Sequence, residues 1–424
     1  MVGSGRILRV SGRLCFTTQT SHQPPRCEHS ARSAMPVLVL LGIFLFGLPA
    51  EAKYGGGMGE PNDPYLIYTA DQMDAIAADP NDWDRHFKLM ADIDLGGSDF
   101  SVIGDHSNPF SGVLDGNGRT ISNLTGTSGL FGCVNGPDAE IKNLGLIDPN
   151  VVGGPYAAAL VSQLNSASVS NCYVEGGDTG NGIFYTGGLV GSNHGGTIDN
   201  CRTTGRVFSS RHILGGLVGW NGDHGTITDC SSSANVSSFA TGGEVAVGGL
   251  VGENRGGIGR CFSTGPVSGR YSVGGLVGFN GRGVISDCYS HSTVMADQLG
   301  IGGLVGSNGA IVTNCYATGG VTGSSDVGGL VGRNSGTVTD CFWDIETGGQ
   351  ATSAGGIGKT TAEMKMASIF IDAGWDFKDV WDIAENQTYP FLRRHPPGDL
   401  NYDYCVDLLD LAILAEHWLE DDAP

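Results

Sequence analysis

The sequence predicts an all-β protein, a right-handed parallel β-helix solenoid with short helical caps, and three observations predict it. The heptapeptide GGLVGxN occurs intact six times, beginning at Gly187, Gly215, Gly248, Gly274, Gly302 and Gly328. Two weaker copies, SGLFG around Leu130 and AALVS around Leu160, precede it, so leucines 130, 160, 189, 217, 250, 276, 304 and 330 recur every 26 to 33 residues. That period belongs to a stacked array rather than to a globular core. Each unit also breaks into short apolar pieces, such as Leu304-Val305, Ile311-Val312 to Cys315-Tyr316, and Val321, separated by Gly, Asn, Asp and Ser. None is long enough for a helix, and β-branched residues dominate them.

Three strands per turn of about 26 residues would stack rung on rung at the ~4.8 Å spacing of paired strands, placing like residues in columns. Leu and Cys recur because they fill the same interior column. Glycine recurs where the chain must bend and a Cβ would clash. The motif asparagines, Asn193 to Asn334, are expected in turns, where the side chain bonds nearby backbone and tolerates a left-handed conformation. Leu and Val are adjacent, so simple alternation cannot bury both.

The remaining segments follow in chain order. Val37 to Leu48, VLVLLGIFLFGL, is followed by Ala50-Glu51-Ala52 and preceded by arginines, so residues 1–52 read as a secretory leader. This apolar run is short for a membrane span, and it implies an exported chain that is secreted or held at the cell surface. Residues 53–127 read as an N-terminal cap and the first rungs: Thr69-Ala70-Asp71-Gln72 is a capping box, and FKLMADIDL and GVLDGNGRTISNL are extended. Residues 128–345 hold the repeat. Residues 346–395 read as a C-terminal cap, with a second helix opened by Thr360 to Glu363 and running through Phe370.

Composition narrows the function. The 424 residues include 71 glycines without a three-residue period, which excludes collagen. A net charge of −21 argues against a nucleic-acid partner, whose phosphates demand Lys/Arg surfaces, and suits a protein able to hold calcium. Cys172, Cys201, Cys230, Cys261, Cys288, Cys315 and Cys341 recur once per repeat, as expected of a column of buried free thiols, with stacked disulfides and metal binding as alternatives.

Catalysis needs carboxylates that converge at one place. The acids Asp229, Asp287 and Asp340 each precede the Cys of their own repeat, where Asn171, Asn200 and Asn314 stand in others, so this position reads as a turn requirement. His194 and His224 read as loop histidines. No catalytic residue is assigned. The residues after the Cys are aromatic at Tyr173, Phe262, Tyr289, Tyr316 and Phe342. If Cys points inward these rings point outward, as a stacking ladder or as a strip that binds sugars or a partner protein.

At the repeated heptapeptide the chain resembles the GLUG-motif proteins over roughly residues 128–345. The resemblance implies a secreted, adhesin-like β-helical surface protein with no general enzymatic activity. The segment GDLNYDYCVDLLDLAILAEHWL, Gly398 to Leu419, resembles half of a type I dockerin. Residues 396–424 would then be an EF-hand-like calcium loop and helix, with one Ca2+ held by Asp399, Asn401, Asp403, the Cys405 carbonyl, Asp407 and Asp410. Tyr404 replaces the usual glycine at the sharp sixth position, and only one loop is present. The expected partners are a cohesin-like or other surface protein, or a glycan. The expected function is non-catalytic display of a repetitive binding face with a calcium-ordered attachment element. The alternative is a polysaccharide lyase or glycoside hydrolase on the same scaffold.

Overall fold

Each repeat makes one turn of a parallel β-solenoid of about nine turns. The computed structural model describes residues 53–96, 100–210, 213–240, 245–393 and 411. The leader 1–52 and the six calcium-ligand positions from Asp399 to Asp410 lie outside the described residues.

A turn contains five short strands rather than the expected three. One turn runs Tyr185–Gly187, Val190–His194, Thr197–Asp199, Arg202–Thr203 and Arg206–Ser209. The strands build five parallel sheets of 7 to 11 strands. The extra corners come from residues in left-handed conformation inside stretches that read as continuous, such as Gly195 (φ 87°), Asn200 (φ 47°) and Gly205 (φ 85°).

Register follows the repeat. Val190, Val218, Val251, Val277, Val305 and Val331 form one line across a sheet, called here the motif sheet. Ile198, Ile227, Ile258, Ile285 and Val312 form another. All eight repeat leucines are fully buried, and so are the residues that follow them, Phe131 in the first copy and valine in the other seven. Adjacent residues share the interior because the corner inserts a bulge at every turn. The N–H groups of Leu250 and Val251 both donate to the Leu276 carbonyl, at 2.9 and 3.0 Å, so two residues oppose one and alternation restarts at Val.

Glycine at these corners is required by close approach. A Cβ on Gly275 would lie 2.1 Å from the Gly303 carbonyl oxygen of the next turn, although Gly275 has no positive φ. Among the described residues the eight cysteines are free thiols, all buried. In the five from Cys172 to Cys288 the backbone N–H points to the sulfur one turn on, as from Cys172 to Cys201 Sγ at 3.4 Å and from Cys261 to Cys288 Sγ at 3.4 Å. Burial pushes the thiols of Cys172, Cys230, Cys288 and Cys315 up, which keeps them protonated. The residue before each Cys is left-handed, with φ of 47 to 54° at Asn171, Asn200, Asp229, Asp287, Asn314 and Asp340. Arg260 takes the same conformation (φ 51°) and its Nε donates to Asp229 at 2.8 Å.

The motif asparagines depart from expectation. None has a positive φ. They lie at or beside the ends of the motif strands with side chains turned inward, buried except for Asn334 of the last turn, and form a ladder in which each amide Nδ2 donates to the Oδ1 one turn on. Asn193, Asn221, Asn254, Asn280, Asn308 and Asn334 are linked in sequence at 2.9 to 3.0 Å. Each also ties down the following corner, as where Gly196 N–H donates to Asn193 Oδ1 (2.8 Å) and Asn193 Nδ2 donates to the Gly196 carbonyl (2.9 Å). A buried amide is tolerated here because its donors and acceptors are satisfied.

Both ends are closed. At the N-terminal end the helix α1 (Ala70–Ala78) has Thr69 as its N-cap and buries Met73, Ile76 and Ala77. Thr69 Oγ1 accepts from Gln72 N–H (3.3 Å), while Gln72 Oε1 accepts from Tyr68 N–H (2.7 Å). At the other end Ser353 Oγ accepts from Leu330 and Val331 N–H, at 3.3 and 2.9 Å, groups left without a further turn to pair with. The second helix is not continuous from Thr360. The box between Thr360 and Glu363 forms, but it opens a 3-10 turn (Glu363–Lys365) that ends at Met366, whose backbone is extended. The helix α2 (Ala367–Ile371) follows, with Glu385 Oε2 accepting from Ala367 N–H at 2.9 Å.

The asparagine ladder generates a test. Asn254→Ala removes both neighbours' partner and is expected to destabilise the protein by roughly 2 kcal/mol or more, since the amides left behind are buried. Asn254→Asp should cost more, because a carboxylate oxygen would face the Asn280 oxygen with no donor between them. Urea unfolding of the two variants against wild type measures the order; an Asp variant as stable as wild type would contradict the ladder.

Candidate binding groove

The five aromatic residues expected on one outer strip lie in register in one sheet, four of them consecutively, in the order Phe262, Tyr289, Tyr316 and Phe342. Phe262 and Tyr289 stack at 4.9 Å, and Tyr289 and Tyr316 at 5.2 Å. They do not form an open strip. Residues 360–393 fold back along the side of the solenoid, and Met364, Phe370, Trp375 and Trp381 cover Tyr289, Tyr316 and Phe342, which become buried. Phe262 stays half-buried at the margin. Tyr173 is also half-buried and lies in the same sheet, separated from Phe262 by Arg202 and Ser231, with the Arg202 guanidinium 4.3 Å from its ring centre. The ladder's covered end is therefore a docking seam for the C-terminal segment, and apolar burial is the reason.

Polar groups hold that seam. Trp375 Nε1 donates to the Asp340 carbonyl (2.9 Å), and the Tyr316 hydroxyl donates to the Pro390 carbonyl. The Asp344 carboxylate accepts from the Tyr389 and Thr361 hydroxyls (2.7 Å each) and from Glu346 and Thr347 N–H. Burial pushes its carboxyl up, but those donors outweigh burial and hold it below the usual range, while burial and Asp344 push Tyr389 up to about 12. His291 lies at the seam beside Thr318, Tyr289, Tyr316 and Tyr389, and burial pushes it down to about 4.

The open face lies elsewhere, at the variable x of GGLVGxN. Val and Asn face inward, so x lies on the outer side of the sheet and the ladder reads Ser192, Trp220, Glu253, Phe279, Ser307, Arg333, of which Ser192 and Glu253 are covered, Trp220, Phe279 and Ser307 half-buried and Arg333 exposed. The sheet that enters the motif supplies the facing wall, and the two enclose a groove of 840 Å³. Tyr271 and Phe279 lie at its middle, with Glu253 and Arg255 at one end and Asp326 and Arg333 at the other. Both carboxylates are ion-paired: Arg255 Nε lies 2.8 Å from Glu253 Oε1, and Arg333 Nε 3.3 Å from Asp326 Oδ2. The Ser272 and Ser307 hydroxyls meet in the groove at 3.0 Å.

Beyond Glu253 the same face continues as an aromatic run. Tyr156 and Tyr185 stack at 5.8 Å, Tyr185 and Trp220 at 5.6 Å, and His194 lies 4.7 Å from Trp220. Burial and the Glu253 charge push the Tyr185 hydroxyl up, and burial pushes His194 down. His224 sits in a turn with φ of 67°. Among the described residues no three His, Cys, Asp or Glu side chains are grouped to hold a metal ion. Sequence reasoning passed over this groove because x varies among the repeats, being Ser, Trp, Glu, Phe, Ser and Arg in turn. The signal was the change of chemistry within an otherwise constant motif.

Comparison with known proteins agrees with the repeat. The family model described as the GLUG motif matches residues 182–207, 210–237, 269–295 and 297–322, so the chain contains GLUG repeats. It is 33% identical over 206 residues to halomucin of Haloquadratum walsbyi, covering 44% of this chain and 2% of that protein. It is 36% identical over 168 residues to a protein of Evansella cellulosilytica named as a Gly-rich membrane protein, covering 35% of this chain and 19% of that one. The chain thus spans a small part of the curated relatives it matches. Among solved structures, a Bacteroides ovatus protein described provisionally as an immunoglobulin A1 protease aligns at a TM-score of 0.47 with 19% identity, covering 81% of this chain and 96% of that one.

The His291 environment predicts a pH dependence. Its folded value lies below its ordinary 6.5, so the neutral ring is favoured in the fold, and the stability it contributes is present above pH 6.5. That stability should be lost as pH falls from 6.5 towards 4, by ~3 kcal/mol in total. Urea unfolding followed by tryptophan fluorescence, to which Trp375 and Trp381 contribute, should show a steeper slope in wild type than in His291→Asn, where only the lowered His194 ring still acts in this window. The lowered Asp344 carboxyl acts only at lower pH and leaves this window clear.

Proposed function

We propose that the chain is a non-catalytic, adhesin-like binding protein of the cell exterior, in which the solenoid is a rigid support and the groove on the motif sheet holds the ligand. The observation that carries this reading is the pairing of both groove carboxylates with arginines, which offers fixed hydrogen-bonding partners rather than an acid and a base free to exchange protons. Support for an exterior location comes from the leader-like segment 1–52 and from relatives named as halomucin and as a Gly-rich membrane protein. Among the described residues no helix is long and apolar enough to cross a membrane.

The C-terminal segment is proposed as the attachment element, with one Ca2+ ordering the loop from Asp399 to Asp410 for a surface-protein partner. Calorimetric titration of the full chain should give one calcium site that Asp399→Ala with Asp403→Ala removes; an unchanged titration would rule the loop out.

The binding reading is tested by incubating the full chain with intact cells and cell-wall polysaccharide. Saturable binding without new reducing ends or unsaturated sugar products is expected. Turnover of polysaccharide would overturn it in favour of a lyase or hydrolase.

A further inference from the structure

We propose that the groove takes a neutral, extended polysaccharide lying along the solenoid axis; this rests on the reading of the groove as the ligand site and names its ligand class. Four properties of the groove lead there.

The first is size and repeat. Glu253, Phe279, Ser307 and Arg333 are successive partners in register, so the two charged ends stand three rungs apart, roughly 14 Å at the spacing of paired strands. Each rung step is comparable with the advance of one hexopyranose unit in an extended chain, so a short run of sugars meets the same kind of position at each step. The volume of 840 Å³ accommodates such a run.

The second is charge. Glu253 and Asp326 cancel Arg255 and Arg333 within the groove, while the whole chain carries −21. A polyanion is repelled by that field and finds no unpaired cation here. A polycation meets an arginine at either end.

The third is hydrogen-bonding chemistry. A carboxylate beside a guanidinium presents acceptors and donors side by side, as vicinal hydroxyls require, and the pairing holds both in place. The Ser272 and Ser307 hydroxyls add a partner between the two ends. Phe279 and Tyr271, half-buried in the middle, supply flat apolar surface for the C–H faces of pyranose rings.

The fourth separates a sugar from a peptide. An extended peptide gains affinity by adding a strand to a free sheet edge. The groove is instead floored by sheet faces whose backbone groups are taken up by the turns above and below, from Glu253 through to Arg333.

Affinity gel electrophoresis of the full chain tests this, with mixed-linkage β-glucan as the neutral probe and polygalacturonate as the anionic one. Retardation by the β-glucan and none by polygalacturonate is expected. Phe279→Ala and Arg333→Ala should each weaken it at least tenfold, with urea midpoints near wild type because both side chains face outward. Phe239→Ala, which removes an exposed ring outside the groove, should bind as wild type. Stronger retardation by polygalacturonate would overturn the neutral class. If neither probe is retained and cell binding survives Phe279→Ala, the groove assignment fails while the adhesin reading stands. If cell binding is lost in Phe279→Ala without retention of either probe, the occupant is a protein and the sugar proposal is overturned.

Discussion

Pairing of each turn with the next, at one fixed strand spacing, is the constraint on which the rest of this protein depends. It leaves no room for a Cβ at Gly275, demands the same kind of inward residue at every level, and draws thiols and amides into columns. Leucine, valine and isoleucine supply apolar burial in those columns, while the asparagines supply direction. A column of amides, each donating upward and accepting from below, has a sense along the axis that a hydrocarbon column lacks. Such a polar line inside an apolar prism penalises any slip in register, since a shifted turn would leave buried amides without partners.

The same constraint divides the surface. Positions facing inward or sitting at corners are held to a narrow choice of residues, so chemistry differs most freely from turn to turn where the side chain points out. On the motif sheet that freedom falls on one residue per turn, and the run Trp220, Glu253, Phe279, Ser307, Arg333 uses it to place rings, acids and bases at equal steps. The aromatic ladder on another sheet exploits the same freedom differently, and the C-terminal segment seals it through Trp375, Trp381 and the Asp344 hydrogen bonds.

Much of the fold was readable in advance because periodicity is a global signal. The eight leucines, the cysteine column and the left-handed residue before each cysteine follow from recurrence alone. The corners were harder. Five strands per turn instead of three, and Leu and Val both inside, depend on a bulge whose hydrogen bonds leave no mark on the pattern of residue types. The asparagines were misplaced for a related reason: Asn is favoured both in turns and in satisfied amide ladders, and only register distinguishes them. Of the candidate site, the aromatic positions were found but not their burial, because the segment that covers Tyr316 begins more than forty residues downstream. The groove itself was hidden by variability, since a search for repeats discards the one position that does not repeat.

The side-on seating of residues 360–393 has an evolutionary consequence. Whole repeats can be duplicated or lost by recombination without refitting the interior, because each unit offers its neighbours the same two faces. That freedom ends at the last turns, where Tyr289, Tyr316 and Phe342 must stay at fixed steps from Trp375 and Trp381. Gain and loss of units is thus confined to the part of the gene upstream of Phe262, so the groove turns from Phe279 to Arg333 keep their number while the aromatic run through Trp220 is free to lengthen or shorten.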